Sequence, residues 1–96
     1  MNSLLVQSKE RNNHRGRLDI IADILQASLG GTRKTYYMYR CNLSFRQLKF
    51  YLDFLTRKGF ICAGDSDGKN DVTVFEITDK GKQFLKVYFS LMDLMT

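Results

Sequence analysis

The segment KTYYMYRCNLSFRQLKFYLDFLTRKG, residues 34–59, contains two helical patterns that flank a turn of three residues, 42–44, the last of which can cap the second of these helices. The first pattern covers residues 34–41, and Asn42 can end it because asparagine tolerates the left-handed backbone conformation. The second covers residues 44–58, and its first residue, Ser44, can accept a hydrogen bond from a free backbone amide of the first turn. A short helix, a tight turn and a longer helix predict a helix-turn-helix.

The segment before this motif predicts another helix. From Arg17 to Leu29, apolar residues recur at helical spacing. Gly30 and Gly31 follow, and they predict the end of the helix because glycine adopts the left-handed conformation at little steric cost. The residues expected on the buried side are Leu18, Ile21, Ile24, Leu25 and Leu29.

The segment after the motif predicts a hairpin and a last helix. Residues 60–63 and 72–77 are rich in β-branched and aromatic side chains, and the stretch between them is polar. Thr78 is expected to cap a helix that runs from Asp79 to about Met95. The order α-α-α-β-β-α predicts an α+β, mainly helical fold of the winged helix-turn-helix type.

Short motifs occur in a characteristic order between residue 17 and about residue 90. They are Ile24-Leu25, Lys34-Thr35 before Met38-Tyr39, Asn42 to Phe45, Gln47-Leu48 with Tyr51-Leu52, Gly59 to Ile61, and Phe75 to Gly81. This ordered set resembles the archaeal winged-helix DNA-binding proteins related to Sso10a, which are described as predicted transcriptional regulators. The resemblance implies binding of double-stranded DNA and dimer formation through the final helix.

The chain is therefore expected to have three segments. Residues 1–16 show no steady period and contain several basic residues, so they predict a flexible basic N-terminal arm. Residues 17–78 are expected to form the winged helix-turn-helix DNA-binding domain. Residues 79–96 are expected to form a C-terminal dimerisation helix.

The third helix, residues 44–58, is the one expected to enter the major groove. Its predicted inward side consists of Leu48, Leu52 and Leu55, with Phe45 and Tyr51 on the flanks. The opposite stripe consists of Arg46, Phe50, Asp53 and Arg57, with Gln47 and Lys49 at its borders. Because arginine pairs with the major-groove edge of guanine and glutamine with that of adenine, this stripe can read bases. The alternative is a merely solvated surface, with Asp53 and Arg57 forming a weak ion pair.

Other candidate contacts to DNA lie outside this stripe. Arg33 and Lys34 stand where the second helix begins, a position that commonly holds a phosphate. Lys69 and Asn70 at the hairpin tip are candidates for a weaker contact because aspartates surround them. The full set of predicted DNA-binding residues is Arg33, Lys34, Ser44, Arg46, Gln47, Lys49, Phe50, Lys69 and Asn70.

The final helix carries apolar residues on more than one face, and a monomer could not bury them all. A symmetric homodimer is the predicted explanation. The alternative is that one face packs on the first helix and the rest is exposed. The predicted dimer interface consists of Phe84, Val87, Tyr88, Leu91, Met92 and Met95.

Length and composition limit the other functions. The 96 residues fit one domain, and the net charge of +5 makes a polyanion a plausible partner. The single histidine and the absence of a phosphate loop or ligand cluster predict no enzyme, no cofactor, no metal and no small-molecule substrate. Two cysteines, Cys41 and Cys62, lie in apolar segments and are expected to be buried free thiols. With no signal peptide or membrane span recognised, a cytoplasmic protein is expected.

Three functions remain open from the sequence. The first is a sequence-specific transcriptional regulator, and the second is an architectural, chromatin-like DNA binder, which differs in specificity and not in fold. The third is a winged-helix module that contacts proteins. It is favoured by the aromatic crowding near Tyr36 to Tyr39 and by Phe50 and Phe54, two rings that are expected to be exposed.

Overall fold

The computed structural model describes residues 16–64 and 73–96 of the chain. The predicted basic arm, except for Gly16, and the hairpin tip with Lys69 and Asn70 lie outside the described residues. The predicted α+β, mainly helical architecture and the order of its elements are confirmed. The elements are α1 (Arg17–Ala27), α2 (Lys34–Cys41), α3 (Phe45–Arg57), β1 (Ile61–Gly64), β2 (Val74–Ile77) and α4 (Asp79–Leu94).

Helix α1 buries a set of residues that differs in part from the set its apolar pattern predicts. Leu18 and Leu29 were expected on the buried side, and this expectation is wrong because they are 53% and 52% exposed. Leu18 lies in the first turn, and Leu29 lies beyond the helix end at Ala27. The buried residues of the helix are Ile21, Ala22, Ile24, Leu25 and Ala27.

A buried polar pair joins the end of α1 to α2. The Ser28 hydroxyl donates to the carbonyl oxygen of Ile24 at 2.8 Å and shares a hydrogen bond of 2.6 Å with the Tyr37 hydroxyl. The Tyr37 ring is fully buried and meets Phe75 edge to face at 6.2 Å between centroids. Burial raises the pKa of Tyr37 to about 12, which keeps the phenol neutral at physiological pH. Both hydroxyls are therefore satisfied inside the core.

The hairpin is tied to the turn that precedes α2. Strands β1 and β2 pair antiparallel, with Ile61 opposite Ile77 and Gly64 opposite Val74. Beyond them, the Thr32 amide donates to the Phe75 carbonyl at 2.9 Å, and the Phe75 amide donates to the Thr32 carbonyl at 2.8 Å. This isolated bridge attaches the wing to the segment that starts the helix-turn-helix, and the sequence pattern did not indicate it.

The Thr78 side chain fixes the start of α4. Its hydroxyl oxygen accepts from the Gly81 amide at 3.1 Å, as the predicted cap requires, and the hydroxyl also donates to the Gly59 carbonyl at 2.6 Å. The Lys80 ammonium donates to the Lys58 carbonyl at 2.8 Å and lies 5.0 Å from the centre of the Phe60 ring. The first turn of α4 is thereby attached to the turn between α3 and β1.

The middle of α4 packs on α1. Leu85 is buried, and the Tyr88 hydroxyl donates to the Asp19 carboxylate. Burial, together with the Asp19 carboxylate, raises the pKa of Tyr88 well above its usual value. Within residues 16–64 and 73–96, no helix is both long and apolar enough to cross a membrane.

The two cysteines differ in environment. Cys41 is buried as expected, but Cys62 is exposed on β1, so the expectation of two buried thiols is wrong for Cys62. The reason is the alternation of side chains along a strand, which turns Ile61 into the core and its neighbour outward.

Candidate nucleic-acid interface

Helix α3 has one side locked into the core. Leu48, Leu52 and Leu55 are buried as predicted, and so is Tyr51. Phe45 was expected on the flank of the inward side, but it is 56% exposed, so this expectation is wrong. Phe45 is the first residue of the helix, and because helical side chains point toward the N-terminus, its ring has no preceding turn to pack on. With four buried anchors, α3 cannot rotate about its axis without exposing apolar surface.

The opposite side of α3 faces solvent along its whole length. Arg46, Lys49 and Arg57 place three cations there, and Asp53 places one anion among them. From Arg46 to Arg57 the helix rises about 16 Å at 1.5 Å per residue. The predicted stripe is therefore exposed as a continuous, mainly cationic surface. Its exposed members are Arg46, Gln47, Lys49, Phe50, Asp53 and Arg57.

A reciprocal cap fixes the N-terminus of α3. The Ser44 hydroxyl accepts from the Gln47 amide at 3.1 Å, and the Gln47 side-chain carbonyl accepts from the Ser44 amide at 3.0 Å. This capping box satisfies two backbone donors that the helix cannot pair internally. Because the carbonyl of Gln47 already accepts from the cap, its side-chain NH₂ group is the part that is free to donate to an outside partner.

Replacement of Ser44 tests the cap. Ser44→Ala is expected to lower the free energy of unfolding by about 1 kcal/mol, because it removes one side of the capping box. Urea denaturation at fixed protein concentration measures the change. The matched control is Ser90→Ala, at an exposed position inside α4, which is expected to leave stability unchanged or slightly higher. Equal stability of Ser44→Ala and wild type would contradict a stabilising cap.

Phe50 and Phe54 have different environments. Phe50 is 51% exposed, and the Arg17 guanidinium lies 6.0 Å from the centre of its ring. Arg17 at the start of α1 thus adds a cation beside the outward side of α3, and it was not among the predicted DNA-binding residues. Phe54 was expected to be exposed, but it packs against the core, so this part of the predicted aromatic patch is wrong.

The basic residues at the start of α2 are accessible. Arg33 is the residue that precedes the helix, and its side chain forms no capping hydrogen bond. Arg33 and Lys34 are both exposed. Lys69 and Asn70, the two candidates at the wing tip, fall in residues 65–72 and lie outside the described residues.

The six residues predicted for the dimer interface divide into two groups. Phe84 and Tyr88 are partly buried within the chain, where Phe84 meets Phe60 at 5.4 Å between ring centroids. The other four are exposed, and two further apolar residues that the prediction did not include are exposed beside them. The exposed apolar residues of α4 are Val87, Phe89, Leu91, Met92, Leu94 and Met95.

Comparison with known proteins identifies relatives of this chain. A family model described as winged helix-turn-helix matches residues 14–96. The uncharacterized protein MJ0287 of Methanocaldococcus jannaschii is 33% identical over 94 residues, which cover 95% of this chain and 90% of that protein.

Solved structures show the same fold. The crystal structure of Sso10a-2, described as a DNA-binding protein from Sulfolobus solfataricus, matches with a TM-score of 0.75 and 26% identity, over 84% of this chain and 82% of that one. The adhesin competence repressor of Streptococcus pyogenes matches with a TM-score of 0.66 and 17% identity, over 98% of this chain and 68% of that one. The second likeness concerns the fold alone. The resemblance to Sso10a-related proteins is confirmed, and the chain belongs to the winged helix-turn-helix family.

Proposed function

We propose that the protein binds double-stranded DNA with α3 in the major groove and acts as a sequence-specific transcriptional regulator. The observation that carries this proposal is the division of α3 into a locked apolar side and a continuous cationic side. A helix held at a fixed rotation presents its outward side chains to the bases in one defined arrangement. The net charge of +5 and the description of Sso10a-2 as a DNA-binding protein support it.

The residues of the interface have separate roles in this proposal. Arg46, in the first turn of α3, contacts a base edge, because the N-terminal part of the recognition helix goes deepest into the groove. Lys49 and Phe50 contact the groove wall. Arg33 and Lys34 hold a backbone phosphate and set the register. Ser44 and Gln47 act mainly by positioning α3.

We also propose that the regulator is a homodimer joined through α4. Val87, Leu91 and Leu94 follow one another at intervals of four and three residues, so they form one stripe along the helix. Their exposed fractions are 60%, 45% and 84%. A second copy of the same helix would cover this stripe, and two-fold symmetry would place two α3 helices on one duplex.

The experiment selects duplexes from a random pool and then measures affinity for the selected site over a salt series. Arg46→Ala is expected to weaken binding to the selected site by about 1–3 kcal/mol, roughly ten- to hundredfold, and to relax specificity at one position. Lys34→Ala is expected to weaken binding to all sequences alike and to reduce the salt slope by about one. The matched control is Lys82→Ala, which removes an exposed cation from the first turn of α4.

The outcomes separate the three functions that the sequence left open. An enriched site that loses its preference in Arg46→Ala supports the regulator. Salt-dependent binding without an enriched site would instead make the protein an architectural binder. Absence of binding even at low salt would contradict any role on DNA.

A further inference from the structure

An open cleft of about 510 Å³ lies between the C-terminal end of α1, the start of α2 and the start of β2. Its volume falls in the range of about 300–1,000 Å³ that is common for small-molecule sites. No residue of α3 lines the cleft, so it is separate from the outward side of that helix. Six of the residues that line it are Gln26, Leu29, Arg33, Thr35, Tyr36 and Arg40.

The two charged side chains that line the cleft are cations, whereas the Glu76 carboxylate lies near Gly31 at its edge. Arg33 directly precedes α2 and Arg40 lies in its last turn, and both side chains line the cleft. Within the part of the chain that the structure describes, the cleft lining includes no acidic residue, and no residue forms an ion pair or hydrogen bond with either guanidinium. Two unpaired guanidinium groups that border one cleft favour an anionic occupant.

The cleft also has apolar surface and further hydrogen-bonding groups. Leu29 is 52% exposed and Tyr36 is 48% exposed, so an aliphatic and an aromatic side chain present uncovered surface to the same space. Tyr36 lies between the two arginines along α2, where a planar group could stack on its ring. The amide of Gln26 and the hydroxyl of Thr35 supply additional polar contacts.

Hydrogen bonds fix the turn after α1 and the start of β2, which form two walls of the cleft. The Thr32 and Phe75 backbones are joined by two hydrogen bonds, and the Thr32 hydroxyl donates to the Ala27 carbonyl. Gly31 has a φ of +92°, and a Cβ atom there would lie 3.1 Å from a methyl group of Val74. The turn after α1 and the start of β2 are therefore in fixed contact, so the cleft does not need to form around a ligand.

We propose that this cleft binds a small molecule that carries an anionic group on a planar, apolar body. The anionic group pairs with Arg33 and Arg40, and the body packs on Tyr36 and Leu29. Arg33 is also a proposed phosphate contact, so the bound molecule competes with DNA for it. This second step rests on the proposed function, whereas binding of the small molecule does not.

The first test is isothermal titration calorimetry of the full chain with phenyl phosphate and benzoate at low salt. Low-millimolar or tighter binding is expected for at least one of them, and the tighter one identifies the preferred anion. Benzyl alcohol, which has the ring without the charge, is expected not to bind. Inorganic phosphate is expected to bind at least roughly tenfold more weakly than phenyl phosphate. No binding of either aromatic anion, or equal affinity for inorganic phosphate, would overturn the proposal.

Variants locate the site. Arg40→Gln is expected to weaken binding of the preferred probe by roughly tenfold or more, since one of two charged partners is lost. The matched control Lys82→Gln removes an exposed cation outside the cleft and is expected to bind like wild type. Circular dichroism checks that both variants are folded. Equal affinities of the two variants would place the probe elsewhere and overturn the proposal.

Competition with DNA is measured separately. The preferred probe is expected to weaken DNA binding of wild type more than an equal ionic strength of sodium chloride does, and to lose this excess effect in Arg40→Gln. If the probe binds the cleft but lowers DNA affinity no more than sodium chloride does, the binding site is supported and the proposed competition with DNA is contradicted. If the chain binds no DNA, the calorimetry still decides whether the cleft is a ligand site.

Discussion

Gly81→Ala is expected to lower the free energy of unfolding by about 2–3 kcal/mol, although alanine usually favours a helix. Gly81 is the third residue of α4 and is buried against the turn between α3 and β1. A Cβ atom at this position would lie 2.3 Å from the Phe60 carbonyl oxygen and 2.7 Å from a side-chain carbon of Ile77. Because the nearer atom belongs to the backbone, a rotamer change cannot remove the clash.

Relief of this clash would require α4 to move away from the turn. The Phe60 carbonyl accepts from the Thr78 amide at 3.0 Å, so the movement would also strain the start of the helix. Thermal denaturation at one fixed protein concentration is expected to show a decrease in Tm of roughly 10 °C or more. The control is Gly64→Ala, where a Cβ atom would meet its nearest neighbour at an ordinary 3.5 Å. A Gly81→Ala protein as stable as wild type would contradict the close approach.

The sequence was most informative where one local signal decides one element. The bounds predicted for α2, residues 34–41, agree with the structure, because Asn42 adopts the left-handed conformation that ends the helix. The Ser44 cap and the side of α3 that enters the core were also predicted, since both depend on side chains within the helix. When a helix packs against a single hydrophobic core, apolar residues that recur every 3.6 positions are sufficient to identify its buried side.

Contacts between distant segments were not predictable in the same way. The Thr32–Phe75 bridge joins single residues 43 positions apart, and no local pattern marks such a pair. The exposure of Leu18, and the burial of Phe54, depend on where neighbouring elements end. In the candidate interface, Gln47 was predicted as a base contact, but its carbonyl serves the cap. Residue type alone cannot distinguish these two uses of one amide.

The packing of α4 within its own chain is another feature that the sequence could not specify. Apolar residues surround the helix, and the sequence assigned Phe84 and Tyr88 to a second subunit. In the structure both rings pack toward the body of the same chain, and Tyr88 is hydrogen-bonded to Asp19 of α1. This contact fixes the direction in which α4 leaves the winged helix. A dimer through the exposed residues of α4 would therefore hold its two α3 helices at a defined separation.

Leu91→Glu is expected to convert the proposed homodimer into a monomer. Leu91 lies in the middle of the exposed apolar stripe of α4, and a carboxylate there would be buried without a partner in the dimer. Light scattering at micromolar concentration is expected to give twice the chain mass of 11.2 kDa for wild type and 11.2 kDa for the variant. The matched control is Lys86→Glu, an exposed position of the same helix outside this stripe, which is expected to remain dimeric.

DNA affinity should change together with the mass. A dimer binds its second half-site at the high effective concentration set by the first, which typically contributes a factor of about 10²–10⁴. Leu91→Glu is therefore expected to lose roughly a hundredfold or more in affinity for a two-fold symmetric site. Lys86→Glu makes the chain more negative by two charges, whereas Leu91→Glu does so by one. If loss of the dimer is the main cause of the weaker binding, Lys86→Glu should lose less DNA affinity than Leu91→Glu despite its larger change in charge. A wild-type protein that is monomeric at micromolar concentration, or a Leu91→Glu variant that stays dimeric, would contradict the role proposed for the exposed face of α4.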